Sequence, residues 1–133
     1  MIQTVRRLPF LPPASTVTTV ASILISEAEP DVRRLLVVMV ERLGHDAAVL
    51  EHDLVAPPRA DLLIVEPCSG PGLEHARLVR AFFPSVPIVC LGPLPADAGF
   101  LGRGPIQYLA KPFALEQLDA TLDLALEQTG SPV

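Results

Sequence analysis

Apolar residues in this chain alternate between short unbroken runs and longer stretches with helical spacing, and the alternation sets an expected order of elements. Ser22-Ile23-Leu24-Ile25 is a short apolar run closed by acidic residues and Pro30, the pattern of a strand buried on both faces of a parallel sheet. From Asp31 to Leu43 the residues Val32, Leu35, Leu36, Met39, Val40 and Leu43 recur at helical spacing, with Arg33, Arg34, Glu41 and Arg42 elsewhere around the barrel. Pro30 opens this helix and Gly44 closes it. Ala47 to Leu50 reads as a second strand and Asp61 to Glu66 as a third. Pro57 and Pro58 between them leave room for about one helical turn. A helix follows from Gly72 to Phe83, with Leu73, Ala76, Leu78, Val79 and Phe82 at its apolar positions and Pro84 at its end. Pro87 to Leu91 is a fourth strand, and the Gly- and Pro-rich stretch from Gly92 to Pro105 holds only a short or irregular helix. Ile106 to Ala110 is a fifth strand, and Phe113 to Glu127 is a final helix carrying Leu115, Leu118, Leu122, Leu124 and Leu126.

Five strands alternating with helical segments imply an α/β domain whose strands run parallel, joined by right-handed crossovers with helices on both faces. The expected architecture is flavodoxin-like: a doubly wound five-stranded sheet in the order 2-1-3-4-5, with shortened second and fourth helical connections. A chain of 133 residues, half of them apolar, supports one core. Residues 1–20, rich in Pro, Ser and Thr, read as a flexible arm, residues 21–129 as the domain, and residues 130–133 as a tail.

Charge narrows the function classes. A net charge of −5 and a pI near 5.0 leave no broad basic face for a nucleic-acid backbone. Arg6 and Arg7 precede an apolar-leaning stretch, but Pro9, Pro12 and Pro13 interrupt it, which does not suit a secretory leader. No stretch approaches the roughly 20 apolar residues that cross a bilayer. Cys68 and Cys90 form no CxxC pair and sit in no His/Cys cluster at metal spacing. The expectation is a cytoplasmic protein that binds neither nucleic acid nor membrane.

In a doubly wound sheet the functional crevice lies beyond the carboxyl ends of the strands, where strand order reverses. Strand one ends at Glu27-Ala28, strand three at Glu66-Pro67-Cys68, strand four at Gly92 and strand five at Lys111. Two carboxylates and a lysine thus converge, and a lysine at the end of a buried strand calls for a carboxylate partner. Plainer readings stand beside this one. Glu27 suits a solvated strand end, and His45, His52 and His75 have no ligand spacing and default to solvated histidines. Cys68 lies at the crevice, where a redox-sensing thiol competes with the commoner inert one, and Cys90 belongs to the core. Tyr108 suits an aromatic packed across the sheet edge with its hydroxyl in water. Gly70-Pro71-Gly72 lacks the lysine of a phosphate-binding loop.

Ile23 to Leu36, Asp61 to Glu66, and Tyr108-Leu109-Ala110-Lys111-Pro112-Phe113 resemble successive signatures of the CheY-like receiver domains of two-component response regulators. The resemblance spans roughly residues 22 to 128 and is most specific at Lys-Pro-Phe. It implies an acidic pair that binds Mg²⁺, a phosphorylated aspartate ending strand three, a Ser or Thr ending strand four, a lysine contacting the phosphoryl group, and a switching aromatic. This chain has Glu27 and Ala28 at the acidic pair, Glu66 at the acceptor, Gly92 at the hydroxyl position, Lys111 at the lysine and Tyr108 at the aromatic. Cys68 borders the same pocket.

Mg²⁺ tolerates lost carboxylates badly, so metal binding is expected to be weak or lost, with Glu27 and Glu66 the ligands if any remains. No other cofactor is expected. Lys111 is expected to pair with Glu66, sharing it with Glu27. The expected function is that of an atypical receiver, not an enzyme, working by protein contact without phosphorylation. The chain ends shortly after the last helix, which suits a stand-alone module. The resemblance implies a protein partner such as a histidine kinase or another regulator, and a homodimer through the face of helix four, strand five and helix five. Two alternatives remain: a working phosphoacceptor for a histidine kinase, opposed by Ala28 and Gly92, and a small-molecule-binding flavodoxin relative, which lacks an evident phosphate loop.

Overall fold

Five parallel strands form in the computed structural model, which describes residues 20–92, 99 and 104–130. They are β1 (Ser22–Ser26), β2 (Asp46–Val49), β3 (Leu62–Val65), β4 (Ile88–Leu91) and β5 (Ile106–Leu109). The described helices are α1 (Pro30–Arg42), α2 (Gly72–Phe82) and α3 (Leu115–Gly130). The sheet order is β2-β1-β3-β4-β5, the expected 2-1-3-4-5. The reversal between β1 and β3 is fixed by register, Ile23 lying beside Ala47 on one side and Leu62 on the other.

Both faces of the central strands are buried, which is why their sequences are continuously apolar rather than alternating. One face carries Ile23, Ile25, Leu62, Ile64, Val89 and Leu91 against Leu36 and Val40 of α1 and Leu118, Leu122 and Ala125 of α3. The other carries Leu24, Leu63, Val65, Ile88 and Cys90 against Ala76 and Val79 of α2. Glu29 caps α1, its side chain accepting from the Asp31 N–H at 3.0 Å, with Pro30 in the first turn. Gly44 follows α1 at φ +91°, a left-handed conformation that glycine adopts without Cβ strain. Three apolar residues assigned to helix cores, Leu35, Phe82 and Leu124, are exposed instead.

The second connection departs from expectation. Residues 50–61 contain turns and bends and no helical turn. Pro57 and Pro58 deprive the segment of amide donors, and it is fastened by side chains, Leu54 and Ala60 packing on the α2 face of the core. The last helix starts at Leu115, where the Ala114 N–H donates to Gln117 Oε1 at 2.7 Å, and it runs past Glu127 to Gly130. Most of the fourth connection, the N-terminal arm to residue 19 and residues 131–133 lie outside the described residues.

Candidate functional site

Glu27 leaves β1 into the crevice and is buried rather than solvated. Its Oε1 lies 2.9 Å from Lys111 Nζ, with the glutamate side chain 1% and the lysine side chain 35% exposed. Oε2 accepts from the Glu29 N–H at 3.0 Å, and Arg33 Nη1 donates to the Glu27 carbonyl at 3.1 Å. Among the described residues the Lys111 ammonium is the group that compensates Oε1, and it does so by charge. Breaking such a pair leaves an uncompensated buried charge, worth roughly 3–5 kcal/mol where both ions are buried and less here, because Lys111 is partly hydrated.

Glu66 does not take the lysine, contrary to the sequence-based expectation. Its Oε1 accepts from the Cys68 N–H at 3.1 Å and from the Ser69 hydroxyl at 3.0 Å. The reason is local: a carboxylate on a two-methylene stem reaches the donors of its own following turn, and these satisfy it without a counter-ion. Oε2 faces the end of β4, 3.8 Å from where a Cβ on Gly92 would lie. The longer side chain thus extends toward the space beside the missing hydroxyl. Gly92 sits at φ +85° and donates its N–H to the Leu109 carbonyl at 3.1 Å.

The turn after β3 also closes over Ala28. A Cβ on Gly70 would lie 2.8 Å from the Ala28 methyl, and one on Gly72 would overlap the Glu66 carbonyl oxygen. The two glycines let this turn sit directly on the crevice, in space a longer side chain at position 28 would need. Cys68 is exposed beside it. Cys90 is fully buried, and burial pushes its thiol up to about 12 against the opposing charge of Arg80. It is a protonated core residue, as expected. Tyr108 is 55% exposed on the edge strand β5, on the same sheet face as Cys90.

Two histidines depart from the expectation of solvated rings. His75 is 2% exposed, with Nδ1 2.6 Å from Ser26 Oγ and Nε2 3.3 Å from the His52 carbonyl. His45 is buried, and its Nδ1 accepts from the Ala21 N–H at 3.0 Å. His52 itself is exposed. Sequence reasoning also missed Arg80, a buried guanidinium at the opposite end of the sheet, which donates to the carbonyls of Pro84, Val86 and Pro105. Burial lowers its pKa, and its charge is spent on backbone oxygens. The one signal for it was a charged residue one step after Val79 on the apolar side of a helix.

These residues do not fit an octahedral Mg²⁺. One family ligand position is the Ala28 methyl, one oxygen of Glu27 faces an ammonium, and one oxygen of Glu66 is held by its own turn. Among the described residues no group of three or more His, Cys, Asp or Glu side chains is arranged to hold a metal ion, and no helix is long and apolar enough to cross a membrane.

Solved structures share the fold. NtrX from Brucella abortus in complex with ADP aligns with a TM-score of 0.71 and 22% identity, covering 84% of this chain and 27% of NtrX. The receiver domain of the sensor histidine kinase PA1611 from Pseudomonas aeruginosa, with a magnesium ion coordinated in its active-site cleft, aligns with a TM-score of 0.63 and 26% identity, covering 85% of this chain and 100% of that domain. The chemotaxis protein CheY4 of Vibrio cholerae aligns with a TM-score of 0.63 and 21% identity over 81% of this chain and 100% of its own. The match thus spans about a quarter of the length of NtrX and the whole of the PA1611 receiver domain and of CheY4. No protein-family model matches the chain, and no curated protein matches it in sequence.

Proposed function

We propose that this chain, which has the fold of a CheY-like receiver domain of two-component signalling, works by protein contact and without phosphorylation. The observation that carries the reading is the state of Glu66: the carboxylate at the acceptor position is already bonded to the Cys68 N–H and the Ser69 hydroxyl. Phosphoryl transfer depends on positioning and charge neutralisation. Here the acceptor is a glutamate turned to its own loop, the second acidic position is Ala28, and the hydroxyl position is Gly92. A glutamate brings one negative charge where a phosphoryl group brings about two, so it mimics the modified state only in part. The reading is therefore of one fixed conformation with no catalytic role and no bound cofactor.

The partner class that fits is another protein, a histidine kinase or a second regulator. The outer edge of β5, unpaired among the described residues and carrying the exposed Tyr108, is the candidate surface, and a second copy docking through that side is the homodimer the receiver fold suggests. The test is incubation with Mg²⁺ and a small acyl-phosphate donor, followed by intact mass. An unchanged mass supports the reading, and a stable phosphoryl adduct on this chain defeats it.

A further inference from the structure

The two aromatic rings at the end of α2 have no place in the core. Phe82 is 52% exposed although it follows Val79 by three residues, a spacing that shares a helix side, and Phe83 is half-buried. Their ring centroids lie 6.3 Å apart at 50°, and neither ring packs on either face of the core among the described residues. The buried Arg80 closes this end of the sheet on the carbonyls of Val86 and Pro105, and the rings beyond it form an apolar ledge at the surface. We propose that this ledge is the docking site of the chain's own N-terminal segment Leu8-Pro9-Phe10-Leu11-Pro12-Pro13, bound within one molecule. The surface is separate from the crevice, and the proposal goes beyond the reading above without resting on it.

Chemistry, reach and charge select this occupant. Pro9-Phe10-Leu11-Pro12 is a Pro-x-x-Pro sequence, a type that loses little entropy on binding and docks against aromatic rings, and Phe10 supplies a third ring to the pair. The segment joins the domain at Val20, at the same amino edge of the sheet as the ledge. There the Asp61 N–H donates to the Ser22 carbonyl, the Leu63 N–H to the Pro87 carbonyl and the Val86 N–H to the Phe83 carbonyl, so β1, β3, β4 and the turn from Phe83 follow one another along that edge. With neighbouring strands about 4.8 Å apart, the start of β1 lies roughly 10 Å from that of β4. Residues Ala14 to Thr19 span up to about 20 Å when extended, enough to carry Pro13 to the ledge. Residues 1–19 contain Arg6 and Arg7 and no carboxylate, whereas all fifteen Asp and Glu residues lie beyond them, so the segment meets a domain of opposite charge. The tether makes the contact intramolecular, an advantage that a separate partner lacks.

The experiment measures how fast trypsin cuts after Arg7 in the full chain, in Phe82→Gln and in Phe10→Ser, each relative to a free peptide of residues 1–19 with the same sequence. The full chain is expected to be cut about fivefold more slowly than its peptide at every protein concentration, because a docked segment does not enter the protease. Phe82→Gln and Phe10→Ser are each expected to return cutting to the free-peptide rate. Cutting after Arg34 on α1 is expected to stay unchanged, which shows that the domain remains folded. If it rises in Phe82→Gln, Phe10→Ser, which alters only the arm, decides. Three results overturn the proposal: cutting of the full chain at the free-peptide rate, protection that survives Phe82→Gln in a folded domain, and protection that grows with protein concentration. The last of these assigns the ledge to the segment of a second copy.

Discussion

The Oγ of Ser26 and the Nδ1 of His75 lie 2.6 Å apart in the interior, directly before the crevice residue Glu27. The other ring nitrogen of His75 meets the His52 carbonyl, which only accepts, so Nε2 carries a proton; in the neutral ring Nδ1 then accepts from the serine hydroxyl. One imidazole therefore ties β1, α2 and the helix-free 50–61 segment together. Replacing it with alanine removes one buried and one part-buried bond and opens a cavity. His75→Ala is expected to cost about 2–3 kcal/mol in urea unfolding and to speed amide exchange in residues 50–61 ahead of the rest of the sheet. Uniform exchange would show that this segment is held by other contacts.

Arg80 makes a comparable tie at the far end of the sheet. Its Nη1 lies 2.5 Å from the Val86 carbonyl and its Nη2 2.9 Å from that of Pro105, while a Cβ on Gly104 would lie 2.7 Å from the guanidinium carbon. Arg80→Met is expected to cost about 3 kcal/mol, because it strips donors from several carbonyls at once, and Lys is expected to restore only part. Gly104→Ala displaces the same guanidinium. The two changes together should therefore cost less than the sum of their separate effects in denaturant titrations.

Asp123 gives a pH dependence of defined sign. Burial, then the neighbouring Asp119, hold its carboxyl above the usual range, with His45 acting in the opposite direction. A carboxyl whose folded value exceeds its unfolded one binds its proton more tightly in the fold, so its ionisation costs stability above that value and the cost fades as pH drops through it. Asp119, Asp123 and Glu127 also recur every fourth residue along α3. Asp123→Lys is thus expected to stabilise the fold by about 0.5 kcal/mol at neutral pH, discounted for the exposure of this position, with the gain shrinking in acid. Melting curves across pH check both sign and direction.

The sheet was legible because a strand buried on both faces must be apolar at every position, and Leu62 to Val65 and Ile88 to Leu91 are. The convergence of Glu27, Glu66, Gly92 and Lys111 followed from topology alone, since strand ends in a parallel sheet meet at one edge. Which carboxylate takes the lysine did not follow. That choice turns on Ser69 and the Cys68 amide satisfying Glu66 within its own turn, a contest between local donors and a distant cation that spacing does not rank. His75 and Arg80 were hidden for a similar reason: a polar residue on a buried helix side looks solvated until a hydroxyl or carbonyl is seen opposite it. Leu35 and Leu124 show the reverse error, apolar residues at plausible spacing that face outward.

The central claim is that this crevice is already satisfied by its own side chains, Lys111 on Glu27 and the Cys68–Ser69 turn on Glu66. Backbone amide NMR spectra recorded through a millimolar Mg²⁺ titration test it most directly. The account predicts no saturable movement of the amides of residues 26–29, 66, 68–70 and 111; saturable, co-varying shifts confined to those residues would contradict it.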